Sequence, residues 1–104
     1  MKHIIITYTL KPDVPPEVFE AWVRETDYPT MRALPRVKHF QTYKSLKQLM
    51  GDTPPTHAYT EVFDIDDMAG FVQEDLPGPI VQGVMAAFMQ HVENAEFVIA
   101  EAVV

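Results

Sequence analysis

The chain has 104 residues, 47% of them hydrophobic and 22% charged, and a formal net charge of −7. That length and composition describe one ordinary globular domain of residues 1–104, with room for a single core. No cysteine is present, so disulfides, thiolate catalysis and cysteine-ligated zinc or iron–sulfur centres are excluded. All eight Lys and Arg lie at or before Lys47, and residues 48–104 carry ten acids and no base. Such a chain is a poor match for nucleic acid or for an anionic membrane surface, both of which need a clustered basic face. The asymmetry also suits self-association, with Lys38, Lys44 and Lys47 set against a partner's acidic half. No apolar run approaches the roughly 20 residues of a membrane span, and Met1-Lys2-His3 leads straight into a strand. A soluble, cytoplasmic protein is the expectation.

Residues 3–10, rich in β-branched and aromatic types, predict a first strand. Asp13 is positioned to cap a helix that takes Pro15 and Pro16 in its first turn. Val18, Phe19, Trp22 and Val23 then recur at helical spacing. Tyr28 precedes Pro29, which disfavours helical geometry, so the helix is expected to break there and resume through Met31 and Leu34 until Pro35. Residues 36–46 predict a second strand, 51–55 a loop, and 57–65 a third strand. Asp66-Asp67 caps a short helix bearing Met68, Phe71 and Val72. Leu76-Pro77-Gly78-Pro79 interrupts it. A further helix carries Ile80, Val84 and Phe88 beside Val81, Met85 and Val92. The last strand begins at Glu96.

This βαββαβ order is the ferredoxin-like α+β sandwich, an antiparallel sheet with helices on one face. Strands one and three are read as parallel neighbours at its centre. Strand one is apolar on both faces, which asks for a partner over the bare one. A homodimer with its sheets packed face to face supplies that partner.

The segment Arg24-Glu25-Thr26-Asp27-Tyr28-Pro29, followed by Met31-Arg32-Ala33-Leu34-Pro35, resembles the REDY-like HapK family of the dimeric α/β-barrel superfamily. Other superfamily members often end the first helix in His-x-Pro; Asp27 stands where that His is common. The resemblance covers essentially the whole chain. It implies a homodimer forming an α/β barrel, with a small-molecule pocket between sheet and helices. It also implies a place in prodigiosin-type pigment biosynthesis, in the branch that makes the methoxy-bipyrrole aldehyde.

Residues that could carry chemistry are few. No phosphate-binding loop, no nucleophile elbow and no metal-ligand pair of histidines occurs, so no cofactor and no metal are expected. His3 opens strand one and His57 opens strand three. Parallel pairing would bring His3, Ile5, Thr7 and Thr9 onto one face with His57, Tyr59, Glu61 and Phe63. A similar pair of strand histidines lines the pocket of olivetolic acid cyclase, a member of the same superfamily; its helix histidine has no counterpart here. The candidate acid–base residues are therefore His57, His3 and Tyr28. Trp22, Tyr59, Glu61 and Phe71 are the expected pocket walls, with Asp27 and Arg32 near the mouth. The expected role is a pocket or accessory protein for an apolar heteroaromatic intermediate, working beside other pathway enzymes. The alternative is a cofactor-free cyclase, isomerase or monooxygenase-like enzyme. It would use His and Tyr acid–base chemistry on a heteroaromatic or polyketide-like intermediate.

Overall fold

The structure, a computed structural model, describes all 104 residues. Strand β1 (Lys2–Leu10) leads to helix α1 (Pro16–Trp22), a π-helical turn (Val23–Asp27) and helix α2 (Tyr28–Arg32). Strands β2 (Val37–Lys44) and β3 (Tyr59–Ile65) follow. Then come helix α3 (Met68–Gly70), a second π-helical turn (Phe71–Asp75), helix α4 (Pro79–His91) and strand β4 (Val92–Ala100). The four strands form one sheet in the order β2-β3-β1-β4, antiparallel at every pairing. This is the ferredoxin-like α+β arrangement, with the helices on one face. No helix is long and apolar enough to cross a membrane.

Strands one and three are neighbours as expected, but antiparallel. Each helical crossover relates strands that run the same way, β1 to β2 and β3 to β4, while the β2–β3 hairpin reverses the chain between them. Ile6 therefore faces Glu61, and Ile4 faces Phe63. Ile4, Ile6, Tyr8 and Leu10 share the helix-covered face with Tyr59, Glu61, Phe63 and Ile65. His3, Ile5, Thr7 and Thr9 lie on the open face, opposite the one expected for them.

The first helix does not break at Tyr28. Proline has no N–H to donate, and inside a regular α-helix its ring strikes the carbonyl four residues back. Here a wider turn closes just ahead of it, with Tyr28 N–H donating to Val23 O. The second half of the chain repeats the device: Leu76 N–H donates to Phe71 O at 2.8 Å, one residue before Pro77. The wide turn also keeps a four-residue spacing on one face, so Phe19, Val23, Asp27 and Met31 are all buried. In a regular helix that spacing would drift around the axis. Asp13 is not the cap of α1; Pro15 holds that position with no side-chain bond. Asp67 does cap α3, accepting from Gly70 N–H at 3.0 Å. β4 begins at Val92, before the expected Glu96, because a bulge with Asn94 at φ 57 absorbs the irregular stretch opposite Tyr8.

The core is aromatic. Phe19 packs edge-on to Tyr8 at 5.7 Å and to Tyr59 at 5.1 Å, and Phe88 meets Tyr8 edge-on at 4.8 Å. Phe40 stacks on Phe63 across the β2–β3 pairing at 3.9 Å. Of the cations expected to reach toward a partner, Lys38 pairs with Asp66 and Lys44 with Glu20 within the chain; Arg36 likewise pairs with Asp67, Glu74 and Asp75.

Candidate functional site

An apolar cavity of about 500 Å³ lies between the sheet and the helices. Its 13 lining residues are all hydrophobic. Ile4, Ile6 and Phe63 form the sheet wall, Phe71 and Leu76 one side, and Met85 and Met89 of α4 the other. Phe97 and Ile99 complete it at the β4 edge, where both are exposed. A smaller chamber of about 40 Å³ adjoins it, sharing Ile6, Met31, Phe63, Val81, Met85 and Phe97. Two carboxylic acids line this chamber, Asp27 and Glu61, and they are the only buried charged residues of the chain, 3% and 2% exposed.

Both carboxyls reach the chamber by strand and helix periodicity. Glu61 alternates with Tyr59, Phe63 and Ile65 on the buried face of a central strand. Asp27 follows Val23 by the wide helical turn. Tyr8 O–H donates to Glu61 Oε2 at 2.5 Å. Asp27 Oδ2 has no hydrogen-bond partner. An unpaired buried polar atom costs on the order of 1–3 kcal/mol, so its persistence marks a place where a ligand group or a water can bind.

Burial dominates the electrostatics. It lifts Asp27 to about 7, against the attraction of Arg32. Burial also lifts Glu61 to about 8; the nearby Asp27 charge adds to this, and the Tyr8 hydrogen bond opposes it. Tyr8 is pushed upward by burial and by Glu61, and remains a phenol. At neutral pH the two carboxyls hold at least one proton between them, in a site walled by hydrocarbon.

The other candidate residues disperse. His3 donates or accepts through Nδ1 with Asp64 Oδ1 at 2.7 Å, on the open face and across the sheet from the cavity. His57 precedes β3 near the opposite end of β1, where its neighbour Ala58 N–H donates to Tyr8 O at 3.0 Å. The antiparallel register thus separates the two histidines that parallel pairing would have joined. Trp22 is half-buried packing between Phe19 and His91, at ring distances of 6.0 and 5.3 Å. Tyr59 stacks on Tyr8 and donates to Glu20 Oε2 at 2.6 Å, opening onto a separate polar cleft with Tyr28, Arg24 and Lys44. Phe71 lines the apolar cavity. Asp27 and Glu61 line the adjoining smaller chamber and are buried, so Asp27 is not at the mouth. No group of three or more potential metal ligands gathers anywhere.

Tyr28 and Arg32 close the outer edge of β2. Tyr28 Oη accepts from Thr42 N–H at 2.9 Å and from Gln41 Nε2 at 2.8 Å. Arg32 lies over the Tyr28 ring at 3.8 Å and donates from Nη2 to Phe40 O at 2.8 Å. Tyr28→Phe leaves the Thr42 N–H without its partner. It is expected to cost about 1–2 kcal/mol in denaturant unfolding while leaving ligand affinity of the cavity unchanged.

Sequence reasoning missed Tyr8 as a site residue. Its signal was position: a tyrosine on the buried stripe of β1 needs a polar partner, and Glu61 on the buried stripe of β3 needs one too.

The sequence profile of the REDY-like protein HapK family matches residues 2–103. Among solved structures, HapK from Hahella chejuensis superposes with a TM-score of 0.79 at 30% identity, covering 99% of this chain and 93% of that one. A dimeric ferredoxin-like protein of unknown function from Thermobifida fusca gives 0.75 at 17% identity, over 97% of this chain and 90% of that one. SnoaB from Streptomyces nogalater, a cofactor-independent oxygenase, gives 0.74 at 14% identity, over 97% and 91%. At those two lower identities the likeness is one of fold. No curated protein matches the sequence.

Proposed function

The chain belongs to the REDY-like HapK family, and on that premise we propose that it binds an apolar, ring-containing biosynthetic intermediate in the cavity between sheet and helices. The observation that carries this reading is the cavity itself: about 500 Å³ of wholly hydrophobic wall, ending in a chamber with two buried carboxyls. Pockets of this size, apolar with a few convergent polar groups, are the usual form of small-molecule sites. The ligand in this reading is a heteroaromatic intermediate of prodigiosin-type pigment synthesis, in the methoxy-bipyrrole aldehyde branch. Family membership and the wholly hydrophobic wall of the cavity support it.

The test uses a pigment-forming host in which this chain is deleted and resupplied. Deletion is expected to make one pathway intermediate accumulate, and the native chain to clear it. Met85→Trp, which fills the junction of the two cavities, is expected to fail. A Met85→Trp chain that restores pigment as well as the native one would replace the pocket reading with a purely accessory role among the pathway enzymes.

The same reading has the chain act as a homodimer. The molecule is a slab only 19 Å in its shortest dimension, and 17 of its 104 residues are buried, which leaves the open sheet face in want of cover. Ile5 pairs with Val62 on one side and Val98 on the other, making an apolar row across that face. The Thermobifida fusca protein of similar fold is dimeric. Light scattering at micromolar concentration is expected to give twice the 11.9 kDa chain mass; a value at 11.9 kDa rejects the dimer.

A further inference from the structure

We infer that Asp27 and Glu61 form a proton-transfer site for a ligand carbonyl that has an acidic C–H beside it, the ligand's apolar rings occupying the larger cavity. This rests on the pocket reading above and adds the chemistry performed there. Three observations meet in it. Both carboxyls line one chamber of about 40 Å³, room for roughly one water or one carbonyl group. Asp27 Oδ2, on a residue 3% exposed, has no hydrogen-bond partner in the protein. Glu61 is tied to Tyr8 and so has a fixed orientation.

The division of labour follows from the surroundings. Glu61 is the more proton-retentive of the two, through burial and the neighbouring Asp27 charge, while Arg32 favours the ionised form of Asp27. Tyr8 from β1 and Arg32 from α2 are the other titratable or charged groups acting on the pair. The residues that α4 and β4 contribute to the chamber are all apolar. Glu61 therefore presents a proton and Asp27 a lone pair to the same chamber, which is what tautomerisation needs.

The step balances without any oxidant, reductant or co-reactant. Asp27 carboxylate takes the proton from carbon, and the C–H electron pair becomes the carbon–carbon double bond. The carbonyl π pair takes the Glu61 proton. An enol, the Asp27 acid and the Glu61 carboxylate result. The Asp27 acid exchanges its proton with solvent; delivery of the new proton from Asp27 to that carbon, and return of the enol O–H proton to Glu61, regenerates the site and leaves the ligand exchanged at that carbon.

The probe is β-tetralone, a flat apolar ketone with acidic C–H bonds, followed by NMR for deuterium uptake from D2O between about pH 5.5 and 9.5, with saturable binding measured by calorimetry. The native protein is expected to speed exchange at least about 100-fold over buffer, within the range of general acid–base catalysis, along a bell-shaped pH profile. Asp27→Asn and Glu61→Gln are expected to bind the probe within about threefold of the native protein and to lose at least about tenfold in exchange. Tyr8→Phe, at a positioning residue, is expected to move the alkaline limb of the bell upward, because the Tyr8 hydrogen bond lowers the proton affinity of Glu61. Binding without exchange above buffer, or amide variants that exchange like the native protein, would overturn the proton-transfer site and leave the pocket standing. Absence of saturable binding would overturn both. Should an amide variant fail to fold, the native profile decides: a bell supports the pair and a flat line refutes it.

Discussion

Denaturant unfolding across a pH series is expected to show stability falling from about pH 5 to pH 9, at up to on the order of 1 kcal/mol per pH unit for each of two groups. Asp27 and Glu61 have folded-state pKa values, about 7 and about 8, raised above their ordinary values of 3.8 and 4.5. Between those limits the folded chain binds more protons than the unfolded one, so raising pH favours unfolding. Their stabilising neutral forms are fully present below the unfolded values and lost as pH climbs through the folded ones. Below about pH 4 a second loss begins. Glu20, held down by Tyr59 and Lys44, and Asp67, held down by Gly70 N–H and Arg36, are then protonated. Glu61→Gln is expected to be more stable than the native chain at pH 8 and to flatten the alkaline slope, since a neutral amide has no charge to bury. A native chain whose stability rises from pH 5 to pH 8 would contradict the buried, proton-holding pair.

Phe19→Ala is expected to cost about 3–5 kcal/mol, enough to unfold much of the population if the chain has the roughly 5–15 kcal/mol of an ordinary domain. Phe19 is completely buried and its ring contacts Tyr8, Trp22, Tyr59, Phe88 and His91. Removal of the ring empties the junction where α1, α4 and the sheet meet, and flanking rings cannot collapse into the space without abandoning their own edge-on contacts. Val18→Ala, one residue away and 51% exposed, is the control and should stay within about 0.5 kcal/mol. Thermal or urea unfolding of the pair separates burial from helix propensity, and similar losses for both variants would reject the packing account.

Strands and helices could be read from the sequence because their signals are local. Ile4-Ile5-Ile6, Val62-Phe63 and the Val81–Phe88 face declare themselves through periodicity and β-branching. The two π-helical turns could not, because an i+5 hydrogen bond leaves no compositional mark. The Pro29 rule therefore gave a break where the chain runs on as helix. The histidine pairing failed on a global property, strand direction, and antiparallel register moved His3 to the far face. Glu61 was an expected pocket wall and Asp27 an expected mouth residue, yet their burial and their common chamber were not legible. Each depends on which of two faces a strand or helix turns inward, and a one-residue shift of register changes that for every residue of a strand at once.

Tyr28 and Arg32 occupy the backbone groups of Thr42 and Phe40 on the outer edge of β2, while the edge of β4 carries exposed Phe97, Val98 and Ile99. Each molecule thus has a valence of one for strand addition. A copy that added its β4 there would use up both free edges at once, a contact separate from the face-to-face packing of the open sheet faces, and no third molecule would find a backbone to extend. The blunted edge works as a chain terminator, limiting growth by strand addition to two copies. Loss of Tyr28 and Arg32 together would raise the valence to two, and the finite pair could then give way to a polymer.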